Sequence, residues 1–173
     1  MRLQTIDPGN HIVNNTPFGR RLRRFMRKDE QRDLLPSDLH WRSGGAWVLA
    51  DALVKWSGQR LSLACLADHT GELRHVVAVA PDMGAFIDAD GVAGAVELMA
   101  KMAVLRHAPN VMIEDFDPKD AAHQGWFYQQ DLSLDLAMRL LHQFGRYHRH
   151  QLLPAPKVAT GDRSADHVAA IGG

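Results

Sequence analysis

A chain of 173 residues is long enough for one sizeable core and short for two. With 46% hydrophobic and 23% charged residues it has a globular composition, and 20 basic residues against 20 acidic ones leave no global field for nucleic acid or an anionic membrane. The single cysteine, Cys65, excludes an intrachain disulfide, no leader-like run follows Met1, and no apolar stretch nears bilayer-spanning length, so a cytoplasmic protein without a membrane partner is expected.

Residues 1 to 19 carry Pro8, Gly9, Asn10, Asn14, Asn15, Pro17 and Gly19, a breaker-rich lead-in. From about residue 18 to 35, Phe18, Leu22, Phe25 and Met26 recur at helical spacing and predict a helix that Pro36 ends. Arg20, Arg21, Arg23, Arg24, Arg27 and Lys28 lie between them. They form a basic face suited to an acidic protein or a nucleic-acid partner, although no nucleic-acid-binding motif accompanies it. Residues 46 to 57 are the clearest helix: Leu49, Leu53 and Trp56 share a face, and Gly58 supplies the stop.

Strands are expected at residues 61 to 67, 75 to 80 and 85 to 89, joined by turns at Asp68–Glu72 and Pro81–Gly84 into an antiparallel meander. A helix is expected from about Val92 to Leu105, a polar loop over residues 115 to 124, and an amphipathic helix from Asp131 to Phe144. The prediction is one α+β domain over residues 1 to 151, with a small antiparallel sheet packed on the central helix and helices flanking it. Pro154, Pro156 and Gly161 mark residues 152 to 173 as a flexible tail.

Gly44 and Gly45 stand directly before the central helix. Glycines there allow close backbone approach, and the N–H groups of a helix N-terminus lower a thiol pKa or receive an oxyanion. A nucleophilic cysteine belongs at position 46, and this chain has Ala46. His75, opening the second strand, is the candidate base. A hairpin matching Val79 with Gly84 and Val77 with Phe86 sets His75 opposite Asp88, on one face of the sheet, as the orienting acid. Asp90 shares that parity and is the alternative acid. Gly44, Gly45 and Trp47 are expected to line the substrate cleft or oxyanion hole.

The ordered set of Gly-Gly, position 46, His75 and Asp88 resembles the papain-like and transglutaminase-like cysteine enzymes and the arylamine N-acetyltransferases, over roughly residues 43 to 91. The resemblance implies a papain-like or transglutaminase-like core and a thiol hydrolase or acyl transferase, a peptidase included. It also implies an acyl or peptide substrate; the chain shows no clear match to an acetyl-coenzyme A or calcium site, so no cofactor is expected. Ala46 takes the cysteine's place, so the covalent step is blocked as written, by an engineered knock-out or in a natural pseudoenzyme. The alternative is a non-catalytic binding module that uses the same cleft or the face from Arg20 to Lys28. Cys65 lies among apolar strand residues as a packing thiol. His142, His148 and His150 lack metal-ligand spacing, so no metal is expected.

Overall fold

The computed structural model of the chain describes residues 16–108 and 110–153. Among them lie a five-stranded antiparallel sheet and six α-helices, an α+β architecture. Helix α1 (Pro17–Met26) starts where the Thr16 hydroxyl accepts the Gly19 N–H at 2.9 Å and Pro17 fills the first turn, which lacks an N–H requirement. It buries Phe18, Leu22, Phe25 and Met26, as their spacing predicts. The predicted helix over residues 18 to 35 is in fact two pieces. Lys28 is extended, with φ −66° and ψ 143°, and α2 (Asp29–Arg32) begins after it.

Helix α3 (Ala46–Trp56) buries every residue except Asp51 and Lys55. Strands β1 (Ser62–Asp68), β2 (Leu73–Ala80) and β3 (Ala85–Asp88) form the predicted meander. Two further strands, β4 (Gly91–Ala93) and β5 (Val111–Asp115), extend it to the order β4-β3-β2-β1-β5. β4 occupies residues expected to open a helix. That helix, α4 (Ala95–Arg106), starts later, where the Glu97 carboxylate accepts the Gly94 N–H at 3.2 Å. β5 is an edge strand with only Val111 buried, so its sequence lacks the alternation that marks a half-buried strand. The expected loop at 115 to 124 holds α5 (Pro118–His123), one short helix capped by Asp117. α6 (Gln130–Phe144) follows as predicted, and a 3-10 turn at Arg149–Leu152 buries Leu152. The lead-in before residue 16 and the tail beyond residue 153 lie outside the described residues.

The sheet separates two apolar layers. Cys65, Ala67, Val76, Ala78 and Ile87 join α3 and α6 in one, while Ala64, Leu66, Val77 and Phe86 join Leu98 and Met102 of α4 in the other. The α3–α6 seam contains a polar knot in which Asp51 Oδ2 accepts from Tyr128 Oη at 2.8 Å and Ser133 Oγ at 2.6 Å and pairs with Lys55. Phe18 stacks on Trp56 and meets Phe144 edge-on, each at 5.2 Å between centroids, which ties α1 to the same layer. α1 also reaches the sheet edge closely. A Cβ on Gly91, whose φ is +116°, would fall 2.8 Å from Gly19 O.

Candidate functional site

β2 and β3 pair as Ala78 with Ile87, Val79 with Phe86 and Ala80 with Ala85. The connecting turn is therefore longer than the predicted register allows, and the pairing shifts by an even step that preserves which face each residue takes. His75, near the start of β2, and Asp88, ending β3, do come together: Nε2 lies 3.0 Å from Asp88 Oδ2. Both are buried, at 1% and 7% exposure. α4 projects Lys101 into the same place, where its ammonium bonds Asp88 Oδ2 and lies 3.0 Å from Asp90 Oδ2.

The turn after β3 folds back so that the Asp90 N–H donates to Asp88 Oδ1 at 2.8 Å. Arg42, from the loop before α3, meets Asp90 Oδ1 at 2.6 Å, and Arg23 of α1 donates through Nε to Asp90 O at 2.7 Å. Of the two candidate acids, Asp88 contacts the imidazole and Asp90 gathers the cations. Burial pushes the Asp88 carboxyl up, but the hydrogen bond from His75 and the nearby Lys101 ammonium outweigh it and hold Asp88 well below the usual carboxylate range. A ring nitrogen facing an ionised carboxylate carries its hydrogen, so Nε2 is the donor. Nδ1 is buried and has no hydrogen-bond partner.

His75 forms part of the wall of a cleft of about 560 Å³, the size of small-ligand sites. Met26, Trp41, Ala89 and Met102 supply its apolar lining. Arg27, Arg32, Arg42, Lys101, Asp90, His40 and Ser43 supply its polar one.

The expected nucleophile position and oxyanion hole are placed elsewhere. Ala46 is 2% exposed and is not among the cleft-lining residues; its helix packs on the sheet face opposite His75. The Gly45 and Ala46 N–H groups already donate to His40 O and Ser43 O, each at 3.0 Å, so neither is free for an oxyanion. A Cβ on Gly44 or Gly45 would fall 2.5 Å from a Leu39 side-chain carbon and 2.6 Å from one of Leu35. These glycines make room for packing. Trp47, expected in the cleft, is instead stacked on Tyr128 at 4.6 Å and edge-on to Phe116 at 5.1 Å, within the α3–α6 layer. Trp41 lines the cleft in its stead, anchored by its indole N–H on Gln31 O at 2.9 Å.

The basic face divides its work. Arg27 reaches the cleft, Arg23 holds the turn at Asp90, and Arg21 lies over the Phe144 ring at 5.4 Å, while Arg20 and Arg24 are exposed. Burial and the nearby Glu114, Asp120 and Asp115 push the Cys65 thiol up to about 11, which makes it a poor nucleophile. His148 and His150 stack on one another, and among the described residues no cluster suits a metal ion. No helix among those residues is long and apolar enough to cross a membrane. No protein-family model, curated protein or solved structure matches the chain.

Proposed function

We propose that this protein is a non-catalytic binding module whose ligand occupies the cleft beside His75. One observation carries the reading: an imidazole in the cleft wall, fixed by Asp88 through Nε2, leaves a buried Nδ1 without a partner. Unpartnered buried polar atoms destabilise a fold, and a ligand that satisfies this one recovers the loss. The surrounding charges are braced from α1, the loop before α3, the β3–β4 turn and α4, which suits a preformed site. No nucleophile is available at position 46, so turnover is not part of this reading.

A second reading keeps the thiol hydrolase or acyl transferase, papain-like in plan. It is favoured by the polarity of the dyad: an acid on Nε2 leaves Nδ1 to take a proton from a thiol. An NMR fragment screen with the His75 and Trp41 side chains as reporters tests the module. Fragments are expected to move both signals and leave the Trp47 indole unchanged. Ester or amide hydrolysis by the wild-type chain that disappears in His75→Ala would overturn it, as would a screen in which no fragment moves Trp41.

A further inference from the structure

We infer that the cleft selects ligands that carry three groups together: an apolar body, an amide N–H and a carboxylate, the chemistry of an N-acylated amino acid. The inference rests on the binding reading and assigns its ligand class. The apolar body is indicated by Met26, Trp41 and Met102, which cannot reward a small hydrophilic ion.

The carboxylate follows from the balance of charge. Asp90 is matched by Arg42, and Asp88 by Lys101. Arg27 has no acidic partner among the described residues. Arg32 meets only Asp29 at 2.9 Å and Asp33 at 3.9 Å, both exposed and therefore weak competitors for its charge. Arg23 uses its Nε on a neutral carbonyl oxygen, which adds positive charge behind the turn without cancelling it. The cleft mouth is thus electropositive although the whole chain is neutral. A guanidinium in the lining suits a carboxylate's two oxygens.

The amide N–H follows from His75. In the tautomer that carries its hydrogen on Nε2, towards Asp88, the unpartnered Nδ1 accepts, and a donor on the ligand would satisfy it. A simple fatty acid offers none. An N-acyl amino acid carries its N–H two bonds from the carboxyl carbon, as does the C-terminal residue of a peptide.

The test is a set of NMR titrations of the full chain, read at Trp41 and His75, with N-octanoylglycine, its methyl ester and N-octanoylsarcosine. N-octanoylglycine is expected to bind at least about tenfold more tightly than either analogue, since each has lost one charged or buried hydrogen bond. Arg27→Gln/Arg32→Gln is expected to remove the preference for the acid over the ester. N-acetyl-Leu-Ala-Leu with a free or an amidated C-terminus separates the two sources. Preference for the free-acid peptide over N-octanoylglycine assigns a peptide end, and the reverse assigns a free acyl amino acid. Equal binding of the acid, ester and sarcosine compounds would overturn the ligand class and leave the binding module standing. The same holds if none binds while simpler fragments still move Trp41. Failure of every compound and every fragment at Trp41 would overturn the module as well.

Discussion

Asp88 reaches the His75 imidazole along a diagonal of the sheet: carrying the β2–β3 register on by one step puts Asp88 beside Val77, and its Oδ2 lies 3.0 Å from His75 Nε2. The same oxygen accepts from Lys101, so one buried carboxylate holds together β2, β3 and α4. Asp88→Asn keeps an oxygen for the Asp90 N–H but leaves Lys101 facing a neutral amide. Breaking a buried pair from one side costs about 3 kcal/mol, and urea unfolding at pH 7 should show a loss of that size.

The pH dependence follows from the same group. The Asp88 carboxyl is held low in the folded protein, whereas in the unfolded chain it titrates near the usual value of about 3.9. Its stabilisation is therefore complete above roughly pH 4 and is lost as pH falls from there towards the lower folded value. Wild type is expected to lose urea resistance below roughly pH 4 more steeply than Asp88→Asn. Parallel acid limbs for the two proteins would contradict a native Asp88 that stays charged.

The face shared by His75 and Asp88 was legible because a shift of register by two residues preserves side-chain parity, even though the exact partners move. The apolar side of α1 was legible for a similar reason, since Phe18, Leu22, Phe25 and Met26 repeat over whole turns. Lys101 and Arg42 carry no such mark. A lysine within a helix and an arginine in a loop are ordinary surface residues until tertiary packing brings them to Asp88 and Asp90. The tryptophans illustrate the same limit. Trp47 follows the glycine pair and looks cleft-facing, yet the turn of α3 sends it to Tyr128 and gives the cleft to Trp41. β4 and β5 escaped because three residues and a mostly exposed edge strand are too little pattern to read.

Gly91 should be the most demanding glycine in the fold. It combines φ +116° with a backbone oxygen 2.8 Å from where its Cβ would stand. Gly91→Ala must both strain the turn and push α1 from β4, and a loss of about 2 kcal/mol is expected. Gly84 has φ +59° but nothing within 4 Å of a Cβ, so Gly84→Ala should cost less, about 1 kcal/mol. Thermal melts of the pair separate conformational strain from close packing; equal shifts would mean that the α1–β4 approach contributes nothing.

α6 offers a contrast between its two sides. Leu136 is fully buried against α3, while Leu134, Met138 and Leu141 stay exposed at 45%, 65% and 40%. Leu136→Ala should cost about 3 kcal/mol through lost burial and a residual cavity. Met138→Lys should remain within about 0.5 kcal/mol in the isolated protein. Urea midpoints would check both, and a large loss at Met138 would mean that this face is covered in solution.

The sharpest division between the two functional readings is position 46. In the structure its side chain is buried, its helix lies on the sheet face opposite His75, and its own N–H is engaged by Ser43 O. A cysteine placed there would lie outside the cleft that His75 lines and on the opposite face of the sheet. Ala46→Cys is therefore expected to react with iodoacetamide at pH 7 more slowly than an exposed cysteine, and at the same rate with or without His75→Ala. Cys65, buried and with its thiol pushed up to about 11, serves as the unreactive internal reference. Rapid alkylation at 46 that His75→Ala suppresses would require α3 to bring its first residue round the end of the sheet to the free Nδ1. That outcome would restore the thiol-enzyme reading.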